Sequence, residues 1–324
     1  MSWHEHRFVS EALRDNPLGD PHERPLWVWS PEDDSKRYPS VYVIQGMTGM
    51  VGAWFNTEPW DESYASRIDS MSPEAVVVLV DAFTAVGGSQ YLDSEGIGNY
   101  HSYLCDELVP FVDANYPTVA APEHRGIQGK SSGGYGSMIT PFLRPDLFGG
   151  LATHAGDALF EVCYARDFAP CARALRDEYG GSFDAFWKDF HSRPPLSKPK
   201  DEVLVNTYAM AAAYSNNELP FDLETGELDA DVWERWLEWD PVMRGRTPEG
   251  REVLRNMQAI WIDSGRSDEY HLELCASAFH REVLAAGTPD ENVHFELFEG
   301  THRGLTWRYP LSLAFLIGRL SISL

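Results

Sequence analysis

The sequence predicts an α/β protein: a mostly parallel sheet flanked by helices, with one helical insertion. Three observations carry this. Short, continuous apolar runs rich in β-branched residues recur along the 324 residues, the pattern of strands covered on both faces. Helical segments lie between those runs, and such alternation argues for parallel strands joined by crossovers. The alternation stops once, over residues 158–257.

In chain order, Leu26–Trp29, Val41–Ile44, Ala75–Val80, Gly126–Gln128, Gly150–Thr153, Ala259–Ile262 and Val293–Leu297 read as strands. The stretch from His6 to Trp29 reads as an antiparallel hairpin, broken by Asn16-Pro17 and Asp20-Pro21. Tyr103–Asn115 carries Leu104, Leu108 and Val112 at helical spacing and must end before Pro117. Between Ala158 and Gln258 the apolar residues repeat with a helical period, as in Phe183, Phe186, Trp187 and Phe190 and again in Val232, Trp233, Trp236 and Leu237. Residues 1–157 and 258–324 are therefore expected to form the α/β core, and 158–257 a helical cap over the active site. The aromatic spacing reads first as packing; Trp233 and Trp236 are also the cap's candidates for lining a substrate pocket.

Charge and composition exclude several functions. Fifty acidic and 26 basic side chains give a formal net charge of −24, which opposes binding to nucleic acid. No apolar run approaches the length of a membrane span, and no basic start followed by an apolar stretch marks a signal peptide. A cytoplasmic protein acting on a small molecule is the expectation, with homo-oligomerisation left open. The four cysteines have no CxxC spacing. His4 and His6 lack a third ligand, and His271 and Cys275, four apart with His280 further on, read as a surface histidine and a packed cysteine, so no metal is expected. No cofactor motif is present.

The chemistry centres on Gly129-Lys130-Ser131-Ser132-Gly133. This is G-x-S-x-G, following a short strand and opening a helix. A serine hydroxyl projects from so tight a turn only if the backbone is strained and small neighbours let the chain pass. Ser131 is the candidate nucleophile; the frame for Ser132 would begin at Lys130 and lacks its first glycine. The same residues resemble the tail of a phosphate loop, but His124 stands where that loop needs glycine. A serine nucleophile needs a base and an orienting acid, which follow it as acid and then histidine. His302 follows the last strand as the candidate base. Asp268 is the candidate acid, with Asp263 and Glu269 as rivals and helix capping as its alternative role. The backbone N–H groups of Met47, after the Val41–Ile44 strand, and of Ser132 are the candidate oxyanion donors. Lys130, beside the nucleophile, is a candidate pocket residue.

These stretches resemble the esterase branch of the α/β-hydrolases, which holds esterase D, feruloyl esterases, enterochelin-esterase-like proteins and the antigen 85 mycolyltransferases. The resemblance runs through RYPSVYVIQGMTG from Arg37, VVVLVDA, ELVPFVDANYP, GIQGKSSGGYGSM with RPDLFGG, IWIDSGRSD and EGTHRGLTWR. It implies an α/β-hydrolase fold, Ser131, Asp268 and His302 as triad, and oxyanion amides at Met47 and Ser132. It implies a serine hydrolase that cleaves carboxylic esters through an acyl-enzyme. The branch's acyltransferases make transfer to an alcohol the alternative, and a catalytically silent binding protein is a third reading. The sequence departs from the family pattern at Lys130, Ser132 and Gln45, and Pro141 is expected to interrupt the helix behind the serine.

Overall fold

The computed structural model describes residues 2–57 and 59–321. Eight strands form one sheet: β1 Ser2–Val9, β2 Glu23–Ser30, β3 Ser40–Ile44, β4 Val76–Val80, β5 Arg125–Lys130, β6 Gly150–His154, β7 Ala259–Gly265 and β8 Val293–Phe298. Their spatial order is β1-β2-β4-β3-β5-β6-β7-β8. The hairpin of β1 on β2 and the pairing of β2 on β4 are antiparallel; every later pairing is parallel.

Side-chain alternation sorts the strand residues into two cores. Tyr42 and Ile44 of β3 join Val76, Val78 and Ile127 on one face. Val41 and Val43 join Val77, Leu79 and Trp261 on the other, beneath the helices Tyr64–Met71 and Tyr309–Leu320. Two helices differ from expectation around a proline. The winding expected from Tyr103 begins at Tyr100 and passes through a π-helical stretch, Tyr103–Leu108, before the α-helix Val109–Asn115. Pro110 has no N–H to give the preceding turn, so the turn there widens. Pro141 does not stop its helix, which runs Ser132–Leu143; so near the end, it removes one bond and leaves the earlier turns intact.

Between β6 and β7 the chain runs through helices that include Ala165–Tyr179, Phe183–Phe190, Asp201–Ser215, Ala230–Leu237 and Pro248–Asn256. Their buried side chains, among them Phe168, Phe186, Leu204 and Trp236, are continuous with the core on the first face of the sheet.

After β3 the chain crosses to β4 on one side, and after that it builds β5 on the other. The carboxyl ends of β3 and β5 therefore flank a crevice where the winding reverses, the usual place for a ligand in such a sheet.

Candidate active site

Ser131 sits at that crevice, between β5 and the helix that starts at Ser132. Its backbone has φ 57° and ψ −127°, a region costly for any residue with a Cβ. The neighbouring strand holds it there. The Ser131 N–H points at the carbonyls of His154 and Ala155, at 3.0 and 3.1 Å, and its own carbonyl accepts from Tyr135 N–H at 2.8 Å. Two glycines make the turn sterically possible. A Cβ on Gly133 would lie 2.8 Å from the Gln45 carbonyl, and one on Gly46 would lie 2.8 Å from the Lys130 carbonyl oxygen. The loop after β3 thus passes directly over the serine turn.

That loop and the start of the helix present the two expected amides. Neither Met47 N–H nor Ser132 N–H has a protein acceptor among the described residues, and both residues line the same cavity as Ser131. Tyr91 fixes the loop by donating its hydroxyl to the Gln45 carbonyl at 2.7 Å.

His302 and Asp268 meet across two loops. His302 Nδ1 lies 2.8 Å from Asp268 Oδ2. Asp268 Oδ1 accepts from Tyr270 N–H at 2.9 Å, so the carboxylate shapes its turn and holds the imidazole at once. Glu269 accepts the His302 backbone N–H at 2.8 Å, and that bond holds its carboxyl below the usual range. Ser267 N–H donates to the Gly300 carbonyl at 2.9 Å, tying the two loops together. Ser131 and His302 line one cavity of about 890 Å³. No hydrogen bond joins them among the described residues.

Of the rival acids, Asp263 is within β7, fully buried, and turned to the opposite partner. His154 Nδ1 lies 2.7 Å from Asp263 Oδ1, while Arg308 Nε and Trp261 Nε1 donate to Oδ2 at 2.9 and 2.7 Å. Ser132 is also committed. Its hydroxyl is buried and donates to Asp157 Oδ2 at 3.1 Å.

Asp157 is the site residue that sequence reading missed. It lies just beyond β6, 6% exposed, lines the cavity and also accepts from Tyr164 OH at 2.9 Å. Burial pushes its carboxyl pKa up, against the pull of those donors and of His302. The signal was available: a carboxylate directly after a strand end faces the crevice in this architecture.

The expectation for Trp233 and Trp236 is corrected. Both belong to the helix Ala230–Leu237, but neither lines the cavity. Trp236 is fully buried, donates its indole N–H to Ser215 Oγ at 2.8 Å, and packs edge-on to Phe168; Trp233 packs on the same ring. An amphipathic helix buries its apolar stripe against its neighbours, which turns these rings into the insertion. The insertion reaches the cavity through other residues, including Tyr164, Arg166, Leu196 and Glu202. Lys130 does line the cavity.

Residues 21–316 match the protein family described as "Putative esterase". The chain belongs to this family. Among solved structures it is similar over its full length to a ferulic acid esterase (TM-score 0.60, 17% identity, 99% of this chain and 98% of that one). It is similar to the fluorophosphonate-binding serine hydrolase FphF of Staphylococcus aureus (TM-score 0.58, 16% identity, 99% of each chain). An S-formylglutathione hydrolase from Agrobacterium tumefaciens also matches (TM-score 0.56, 16% identity, 98% and 95%). At such identities the likeness establishes the α/β-hydrolase fold. A curated relative, "Uncharacterized protein YbbA" of Bacillus subtilis (strain 168), is 26% identical over 140 residues, 40% of this chain and 53% of that protein. The chain thus spans about half the length of the curated relative it matches. No helix among the described residues is long and apolar enough to cross a membrane.

Proposed function

We propose that the protein is a serine hydrolase that cleaves carboxylic esters of small molecules through an acyl-enzyme, with Ser131 as nucleophile, His302 as base and Asp268 as orienting acid. One observation carries the reading: a serine on a strained strand-to-helix turn shares a cavity with an imidazole already oriented by a buried carboxylate. With Nδ1 bound to Asp268, the proton-accepting nitrogen is Nε2. It takes the Ser131 proton as Oγ bonds the ester carbonyl carbon. The carbonyl oxygen, now negative, accepts from Met47 and Ser132 N–H, donors that need no reorganisation. The carbon–oxygen bond to the alcohol breaks, and His302 returns the proton to the leaving oxygen. Water then repeats the sequence on the acyl-enzyme and releases the acid. Glu269 keeps the histidine loop in register, and the buried Ser132–Asp157 bond keeps the second serine out of the chemistry. The segment 158–257 acts as a cap, because Arg166 and Glu202 both reach the loop that bears the acid: Arg166 Nη1 donates to the Glu269 carbonyl at 2.5 Å and Tyr270 OH bonds Glu202.

The test is labelling by a fluorophosphonate probe with peptide mapping. The expected adduct lies on Ser131, disappears in Ser131→Ala, and accompanies hydrolysis of short-chain ester substrates. An adduct on Ser132 would overturn the assignment. Acylated alcohol as the main product, when an acceptor is added, would make the protein an acyltransferase.

A further inference from the structure

Lys130 is the residue that the proposed mechanism does not use. It precedes the nucleophile, ends β5 and lines the cavity. It is partly buried, and burial lowers its ammonium's pKa against the attraction of Asp268 and Asp157. Among the described residues its Nζ makes no hydrogen bond and has no carboxylate within ion-pair distance. The two acids nearest in charge are occupied elsewhere. Asp268 holds His302 and Tyr270 N–H, and Asp157 holds Ser132 and Tyr164. Arg303, next to the base, also lines the cavity, and its guanidinium has no partner among the described residues. Of the other carboxylates of the cavity wall, Asp61 is engaged with Arg67, Asp167 with Arg166, Glu202 with Tyr270 and Glu269 with His302 N–H, while Glu62 is exposed and has no side-chain partner among the described residues. In a chain of net charge −24, two cations beside the reacting serine and histidine are left without counter-ions. A withdrawn ammonium without a partner carries a desolvation cost that an anion in the cavity would offset.

We infer that the substrate is an ester bearing a carboxylate, and that Lys130, supported by Arg303, binds that carboxylate and selects for it. This rests on the serine hydrolase reading and adds the class of ester to it. A carboxylate on the substrate also accounts for the cations' placement, since the protein's overall field repels anions and only a local pair can reverse that.

The experiment compares 4-nitrophenyl butyrate with 4-nitrophenyl hemisuccinate, which share a leaving group and differ in a terminal carboxylate, in the wild type, Lys130→Met and Lys130→Arg. Succinate is added separately as a competitive inhibitor of butyrate hydrolysis. The expected result is a ratio of kcat/KM, hemisuccinate over butyrate, that falls about ten- to a hundredfold in Lys130→Met, the worth of one charge-assisted hydrogen bond. Lys130→Arg should retain most of it, and inhibition by succinate should weaken in Lys130→Met. Equal losses on both esters would overturn the inference and make Lys130 a positioning residue for the Asp268–His302 pair. An unchanged ratio overturns it as well. If the wild type hydrolyses neither ester and takes no fluorophosphonate label, the failure belongs to the serine hydrolase reading itself.

Discussion

Among the described residues two histidine–aspartate pairs meet at nearly the same distance, one lining a cavity and the other fully buried. His302 and Asp268 meet at 2.8 Å, His154 and Asp263 at 2.7 Å. The second pair even has a serine at its far nitrogen, with His154 Nε2 2.9 Å from Ser312 Oγ. What separates them is access and prior commitment. Ser312 is fully buried inside the helix Tyr309–Leu320 and donates to Gln128 Oε1 at 2.9 Å. Asp263 is further bound by Arg308 and Trp261. One serine–histidine–aspartate line thus lies fully buried, whereas Ser131 stands on a strained turn and shares a cavity with His302. The inner pair belongs to the structure that holds Ser131, since the His154 carbonyl accepts from Ser131 N–H.

The comparison predicts that the outer pair carries rate and the inner pair carries stability. Asp268→Asn should lower kcat by about 10³–10⁴-fold through loss of the correct tautomer, with little change in Tm; steady-state kinetics and calorimetry check both halves. A variant that lost stability instead would merge the two pairs into one role. Asp263→Ala should lower stability by about 3–5 kcal/mol, because it leaves the buried Arg308 Nε, Trp261 Nε1 and His154 Nδ1 without their acceptor. Burial alone would raise the Asp263 carboxyl, but His154, Arg308 and Trp261 outweigh it and hold its pKa below the ordinary value. Its contribution is therefore present above the unfolded pKa and fades as pH falls through the folded one, so wild type and Asp263→Ala should begin to converge only below about pH 4 in denaturant melts.

Smaller effects sharpen the contrast. Glu269→Gln weakens the acceptor for His302 N–H and should cost about tenfold in kcat, the scale of a charge-assisted bond, as turnover at saturating ester would reveal. Asp157 behaves oppositely to Asp263, since its folded pKa is raised. The penalty for ionising it grows as pH rises through that pKa. Asp157→Asn should therefore add about 1 kcal/mol of stability near pH 8 and nothing near pH 4; a gain independent of pH would point to packing instead.

The strands and Ser131 were legible because each depends on local pattern: β-branched runs, and glycines flanking a serine after a strand. The choice of acid was less so. Asp263, Asp268 and Glu269 lie within seven consecutive residues, and side-chain direction depends on where β7 ends. The strand continues to Gly265 rather than stopping at Ile262, which keeps Asp263 in the ladder and puts Asp268 on the turn. Trp233 and Trp236 carried a true helical period, but period tells which residues share a face and not what that face meets. Asp157 was overlooked because its bonds to Ser132 and Tyr164 join three segments of the chain.

The clearances at Gly46 and Gly133 set which positions of this site can vary. A methyl group at either would collide with a backbone carbonyl at 2.8 Å, so a mutant library should find these two nearly intolerant. Beside them stand Gln45 and Lys130, whose side chains the same backbone accommodates and which line the cavity. A scaffold locked at its glycines and open at Gln45 and Lys130 would let single exchanges reshape the cavity wall without rebuilding the turn that carries Ser131.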